Sequence, residues 1–174
     1  MVRKLWTFAL AELLALALAL ACSLGGRTEK VLVRIPLDSL EEVITKSGVT
    51  VDSEVTADGR GSIRVDASEP MSVRIAEIPG LSVENARLIY RARLRSEDLR
   101  GKAYLEMWCV FPGRGEYFSR ALQSPLAGTN DWVTQETPFL LQQGQRPSRV
   151  KLNLVVDGEG TVWLDEVVLA KAPL

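Results

Sequence analysis

Side chains that could hold a polar ligand recur at every second position along several segments of the chain. Because alternate residues of a β-strand point to the same side of a sheet, one face of each segment is apolar and the other polar or aromatic. The polar faces carry Arg91, Arg93, Tyr104, Glu106, Trp108, Lys151 and Asn153. Aromatic rings with charged and amide groups around them can stack on a sugar ring and bond its hydroxyls in fixed directions. If these segments are neighbours, we expect them to form one ligand-binding face.

Arg120 extends this set, because it shares strand parity with Phe118 beside the loop Pro112–Gly115. The alternative role for the polar side chains is structural. Arg91 or Arg93 would then pair with Glu106 across strands as an exposed ion pair, which contributes little to stability. The sequence leaves both interpretations open.

The chain offers little for catalysis. It has no histidine among its 174 residues, so the commonest general base and metal ligand is missing. Glycoside hydrolysis needs two carboxyl groups about 5–10 Å apart, whereas Asp165 and Glu166 are adjacent in a predicted strand and point to opposite faces. The net charge of −1 comes without the basic stripe that nucleic acid requires. We expect neither an enzyme nor a nucleic-acid-binding protein.

The N-terminal segment predicts export. Two basic residues precede an apolar run from Leu5 to Ala21, which ends in small residues just before Cys22. This end resembles the lipobox of bacterial lipoproteins, which implies lipidation of Cys22, although Ala19 stands where the usual lipobox has leucine. Cleavage to a soluble secreted protein and an uncleaved anchor over Leu5–Leu24 stay open as alternatives.

These features predict a signal peptide or membrane anchor at residues 1–21, a tether at residues 22–30 and one domain at residues 31–174. We expect the domain at the bacterial cell envelope, held to a membrane by lipid on Cys22, or otherwise periplasmic or secreted. Cys109 is then a lone buried apolar residue rather than half of a disulfide.

The domain is predicted to be an all-β, antiparallel two-sheet sandwich. Short β-like runs separated by Gly and Pro turns recur at sandwich intervals, with no helix between them that would permit a parallel sheet. Ser39 and Glu42 form a capping box, which predicts one short helix over Leu40–Lys46.

The end of the chain carries two further signals. Gly158-Glu159-Gly160 predicts a turn between the last two strands. A β-bulge at Asp165-Glu166 is needed to bring the apolar residues on both sides of it into one core. These apolar residues are Val162, Leu164, Val167 and Leu169.

Four motifs keep a common order and spacing over Val49–Leu169. They are Gly59-Arg60-Gly61-Ser62-Ile63-Arg64-Val65, Tyr90-Arg91-Ala92, Asp131-Trp132 and Gly160-Thr161-Val162-Trp163-Leu164-Asp165-Glu166-Val167. The set resembles galactose-binding-domain-like jelly rolls, nearest to family 4, 9 and 22 carbohydrate-binding modules. The resemblance implies a non-catalytic module that contacts a glycan or cell-wall polysaccharide. The same fold also serves for protein contacts, so an envelope protein–protein interaction or structural domain with no sugar site is the alternative.

The resemblance also implies a structural calcium ion held in part by Asp165, since oxygen ligands suit that cation. The usual Gly-Phe-Glu of such modules is absent near the start, so the second ligand would be Asp38 or Asp52. The alternative for Asp165 is a bulge residue that bonds nearby backbone amides. No other cofactor is expected.

Overall fold

The computed structural model describes residues 28–174, and this part of the chain is all β, as predicted. Its strands are β1 (Lys30–Ile35), β2 (Val49–Asp52), β3 (Ser62–Ala67), β4 (Met71–Pro79), β5 (Ala86–Phe111), β6 (Gly115–Arg120), β7 (Leu126–Leu141) and β8 (Arg149–Pro173). The predicted signal or anchor segment, most of the tether and Cys22 lie outside the described residues. No helix within residues 28–174 is long and apolar enough to span a membrane.

A continuous antiparallel ribbon of β5 and β8 runs through the whole domain. Its pairing extends from Ala86 opposite Pro173 to Val110 opposite Arg149. The C-terminal half of β5 and the N-terminal half of β8 are flanked by β6 and β4, and we call these four the front sheet. The other halves are flanked by β7 on one side and by β1 and β3 on the other, with β2 beyond β3, and form the back sheet. The predicted antiparallel jelly roll is confirmed.

The alternation along β5 is confirmed as the source of the core. Its inward-facing side chains are almost wholly buried in both halves and join one apolar cluster, which includes Leu88, Tyr90, Ala92, Leu94, Ala103, Leu105, Met107 and Cys109. Burial raises the pKa of the Cys109 thiol to about 12. The thiol therefore stays protonated and packs as a small apolar residue, as predicted.

The ribbon bends from one sheet to the other at three glycines. Gly101 lies opposite Gly158, and a Cβ on either would collide with a backbone oxygen of the facing strand. Gly160 is similarly close to Leu99. The prediction of a turn at Gly158-Glu159-Gly160 is therefore wrong: the chain does not reverse there, and the glycines instead let two backbones approach at a sheet corner.

The predicted β-bulge at Asp165-Glu166 is confirmed. Arg91 pairs with Val168 and Arg93 with Asp165, so β8 carries one extra residue over this interval. Glu166 takes up the irregularity with a φ of +50°. The apolar residues before and after the bulge consequently share one core.

The helix predicted over Leu40–Lys46 is not formed. Ser39 Oγ accepts a hydrogen bond from the amide of Glu41 in a turn, and the amides of Ile44 and Thr45 both donate to the carbonyl oxygen of Arg74 in β4. Docking against the irregular edge of β4 satisfies these amides, so the short capping box does not go on to nucleate a helix.

Candidate functional site

A row of polar side chains crosses the outer face of the front sheet from one edge to the other. Glu106 of β5 lies opposite Asn153 of β8 and Arg120 of β6, and Asn153 lies opposite Arg74 of β4. A neighbouring row places Trp108 opposite Lys151 and Phe118. We call this surface the polar face and define it by Arg74, Glu77, Tyr104, Glu106, Trp108, Glu116, Phe118, Arg120, Lys151 and Asn153. Six of the eight sequence-predicted ligand-binding residues meet here: Tyr104, Glu106, Trp108, Arg120, Lys151 and Asn153.

Glu106 is the centre of the polar face. Its Oε1 accepts hydrogen bonds from Trp108 Nε1 at 2.6 Å and from Asn153 Nδ2 at 2.8 Å, and its Oε2 accepts one from Arg120 Nε at 2.6 Å. Burial by itself raises the pKa of this carboxyl, but the three hydrogen bonds outweigh burial and hold the pKa below its ordinary value. Glu106 is therefore an ionised carboxylate that fixes the orientation of an indole ring and a guanidinium group.

The charges around Glu106 are paired within the face. Arg74 Nε donates to Asn153 Oδ1 at 2.6 Å, and its Nη1 contacts Glu77. Lys151 Nζ contacts Glu116 Oε1 at 2.8 Å. Each of these cations, like Arg120, thus has a carboxylate partner, so the polar face presents many hydrogen-bonding groups but little net charge.

An aromatic surface adjoins this network. The rings of Trp108 and Phe118 are 4.9 Å apart and tilted by 46°, and the Arg120 guanidinium lies 4.3 Å from the Phe118 centroid. Phe118 is 49% exposed and Trp108 is half-buried, whereas Tyr104 is only 7% exposed. Phe118 therefore offers exposed aromatic surface to a ligand and Trp108 offers part of its own, whereas Tyr104 is mostly covered.

Arg91 and Arg93 lie elsewhere, and the expectation that they share a face with Glu106 does not hold. Both project from the outer face of the back sheet, because β5 passes from the back sheet to the front sheet between them and Tyr104. Arg91 forms paired hydrogen bonds of 2.8–3.0 Å with Glu29 and with Glu136. Neither arginine makes the cross-strand pair with Glu106 that was the alternative.

The two arginines instead line a small cleft on the back sheet. Its volume is about 280 Å³, and Glu29, Arg34 and Glu166 also line it. Arg93 Nη1 lies 3.8 Å from Glu166 Oε2. This cleft and the polar face are on opposite sides of the sandwich and cannot contact the same small ligand.

Asp165 is fully buried and bonds backbone amides. Its Oδ2 accepts from the amide of Ala57 at 2.8 Å and its Oδ1 from that of Glu166 at 2.7 Å. Burial raises the pKa of the Asp165 carboxyl above its ordinary value, and the amide hydrogen bonds offset this only in part. Asp52 is similarly engaged, by backbone amides and by Trp163 Nε1 at 2.9 Å.

These donors point hydrogens at the oxygens that a cation would need. Over residues 28–174 there is no group of three or more His, Cys, Asp or Glu side chains placed to hold a metal ion. The geometry of Asp165 is that of the alternative, a bulge residue bonded to amides. The calcium ion stays a prediction of the resemblance alone.

Sequence reasoning missed Arg74, Glu77 and Glu116 as parts of the polar face. Strand β4 has a register irregularity between Arg74 and Ala76. Arg74 and Glu77 therefore face the same side although they are three positions apart, which strict alternation does not allow. Glu116 and Phe118 alternate with Arg120 along β6, and that signal was present in the sequence.

The fold is shared with solved carbohydrate-binding modules. The chain superposes on the xylan-binding CBM22-1 domain of Paenibacillus barcinonensis Xyn10C with a TM-score of 0.61 and 14% identity, covering 86% of this chain and 99% of that one. The C-terminal family 22 module of Clostridium thermocellum Xyn10B gives 0.55 and 11%, covering 82% and 95%. A family 16 carbohydrate-binding module gives 0.54 and 11%, covering 76% and 95%.

Sequence comparison adds no closer relative. No protein-family model and no curated protein sequence matches the chain. At these identities the likeness shows the fold alone, a jelly-roll β-sandwich.

Proposed function

We propose that this protein is a non-catalytic module that binds a polysaccharide on the polar face of its front sheet. The observation that carries the proposal is the Glu106 network, in which one buried carboxylate fixes Trp108, Asn153 and Arg120 beside the exposed ring of Phe118. A sugar ring stacks its C–H face on an aromatic surface while neighbouring polar groups bond its hydroxyls. The xylan-binding domains with the same fold support this choice of ligand class.

The charge pairing favours a neutral glycan over an acidic one. Arg74, Arg120 and Lys151 are each in contact with a carboxylate. An acidic polysaccharide would gain little net attraction from a face whose positive and negative charges balance, whereas hydroxyl groups can use the remaining N–H donors without breaking the pairs.

Binding to a panel of soluble polysaccharides, with xylan and cell-wall polysaccharides among them, tests the proposal. We expect Trp108→Ala to weaken binding at least tenfold, because it removes stacking surface and one donor to Glu106. Arg91→Ala is the matched control: Arg91 was part of the sequence-predicted site but lies on the back sheet, so affinity should not change. Binding that Arg91→Ala weakens and Trp108→Ala spares would overturn the site.

A protein-contact function is the second candidate. Glu106 and Asn153 are only 5% and 3% exposed, and Tyr104 is covered, so part of the polar face is occupied by its own hydrogen bonds. Exposed aromatic side chains instead cluster at the edge of the front sheet. If the folded protein binds none of the glycans tested, the protein-contact function is favoured over polysaccharide binding.

The location of this module is also a proposal. We infer that it is exported and held at the bacterial cell envelope by lipid on Cys22. The support is the N-terminal sequence: a basic start, an apolar run and small residues before the cysteine. Intact mass of the membrane-bound protein tests it, since acylation adds a diacylglycerol to Cys22.

A further inference from the structure

Strand β6 is one of the two edge strands of the front sheet. In the described part of the chain it pairs only with β5, so the backbone groups on its other side have no strand partner. Proteins normally shield such an edge with proline, charged side chains, a bulge or a covering segment. The sequence of β6, Gly-Glu-Tyr-Phe-Ser-Arg, contains neither proline nor lysine, and its two charged residues, Glu116 and Arg120, are of opposite sign.

The same edge exposes apolar surface. Tyr117 is 53% and Phe118 49% exposed, and Leu122, just beyond the strand, is 46% exposed. Tyr117 and Phe118 also line a cleft of about 440 Å³ together with Phe111 and Phe139. Contiguous apolar surface beside unpaired backbone is typical of a site where another strand adds to the sheet.

We propose that β6 pairs with β6 of a second copy of this chain, antiparallel and two-fold symmetric, with Phe118 on the symmetry axis. In this register Glu116 of each copy lies opposite Arg120 of the other, and both project on the outer face. Shifting the register by two residues keeps the faces aligned but separates these charges. Opposite charges in directly opposed positions stabilise a strand pair, so the sequence of β6 is complementary to itself in one register.

The side chains at the new contact can accept it. Within residues 28–174 Arg120 uses only its Nε as a hydrogen-bond donor, to Glu106, which leaves both terminal nitrogens for a partner. The side chains of Arg120 and Glu116 are 35% and 41% exposed. Pairing would join the two front sheets into one continuous sheet. The inference depends on the strand edge and not on sugar binding, so either can fail alone.

Cysteine cross-linking in the full chain tests the register. Phe118→Cys places two thiols directly opposite each other at the axis, and we expect copper-catalysed air oxidation to give a covalent homodimer in high yield. Tyr117→Cys is the matched control, because its neighbour across the axis is Ser119 rather than a second cysteine. The parent chain, with Cys22 and Cys109, supplies the background yield.

Charge reversal tests the pairing itself. In the Phe118→Cys background we expect Glu116→Arg to reduce the cross-linked yield at least fivefold, since it places two cations opposite each other in the paired strands. Thermal melting checks that each variant is folded. The proposal is overturned if Tyr117→Cys cross-links as well as Phe118→Cys, or if Glu116→Arg changes nothing. A mixed disulfide with a different protein in place of the homodimer would likewise overturn it.

Discussion

Replacing Glu106 by glutamine should lower the free energy of unfolding of the domain. The size of the decrease follows from the hydrogen bonds that Glu106 makes. Glutamine turns an N–H group toward Arg120 Nε, so that hydrogen bond is lost, and the bonds from Trp108 and Asn153 become neutral ones. Hydrogen bonds to charged groups contribute about 1.5–3 kcal/mol and neutral ones about 1 kcal/mol. Because the Arg120 side chain is 35% exposed, hydrogen bonds to water compensate much of the loss of its bond to Glu106.

These contributions add up to a decrease of about 2–3 kcal/mol in the free energy of unfolding at pH 7. For a domain of this size that lowers the melting temperature by roughly 5–10 °C. Thermal and urea unfolding measure the change. Glu116→Gln is the matched control, because its side chain is 41% exposed, and we expect a change below about 0.5 kcal/mol.

The pH dependence gives a second, independent readout of Glu106. Its pKa in the folded protein lies below the ordinary value of 4.5. A carboxyl group whose pKa is lower in the folded state stabilises the protein at pH values above its unfolded-state pKa. This contribution is lost as the pH falls through its folded-state pKa. The deficit of Glu106→Gln should therefore shrink as the pH is lowered below about 4.5. A variant that melts within about 1 °C of the parent at pH 7, or a deficit that is the same at pH 3, would refute the Glu106 network.

Three further predictions follow from other parts of the domain. Gly158→Ala should lower the free energy of unfolding by more than about 3 kcal/mol, since its Cβ would meet the Arg100 carbonyl oxygen; a melting temperature near that of the parent would contradict the corner geometry. Removing calcium with EDTA should leave the melting temperature unchanged, because Asp165 already bonds two amides; a decrease that Asp165→Asn abolishes would establish the calcium ion. Cys22→Ser should release the protein from the membrane fraction, and retention there would contradict the lipid anchor.

The parts of the fold that were predictable from the sequence depend on strand periodicity. Alternation assigned the core and polar sides of β5 and of the first part of β8, including Glu106 and Trp108, because burial on one face selects apolar residues at every second position. The bulge at Asp165-Glu166 was predictable for the same reason, since the apolar parity changes there.

Periodicity does not report where a strand leaves one sheet for another. Arg91 and Glu106 both occupy polar positions in an alternating segment, between residues that face the core. The corner of the ribbon lies between them, so they project on opposite sides of the sandwich. The glycines of that corner cannot be told from those of a hairpin turn in the sequence. Glycine is needed in a turn for its backbone conformation and at the corner for the close approach of two backbones, and a Cβ atom prevents both. The helix at Leu40–Lys46 failed for a related reason: its amides found partners on a strand that is distant in sequence.

The ribbon of β5 and β8 also constrains how the domain folds. Each sheet takes two of its strands from this pair, so neither sheet is complete until a segment at the end of the described chain has found one near its middle. Such long-range pairing gives a high contact order and slow folding. It leaves no half of the sandwich that can form by itself, and unfolding should be a single transition in which both sheets melt together. A truncation within β8 would then remove the front and back sheets at once, rather than shorten one of them.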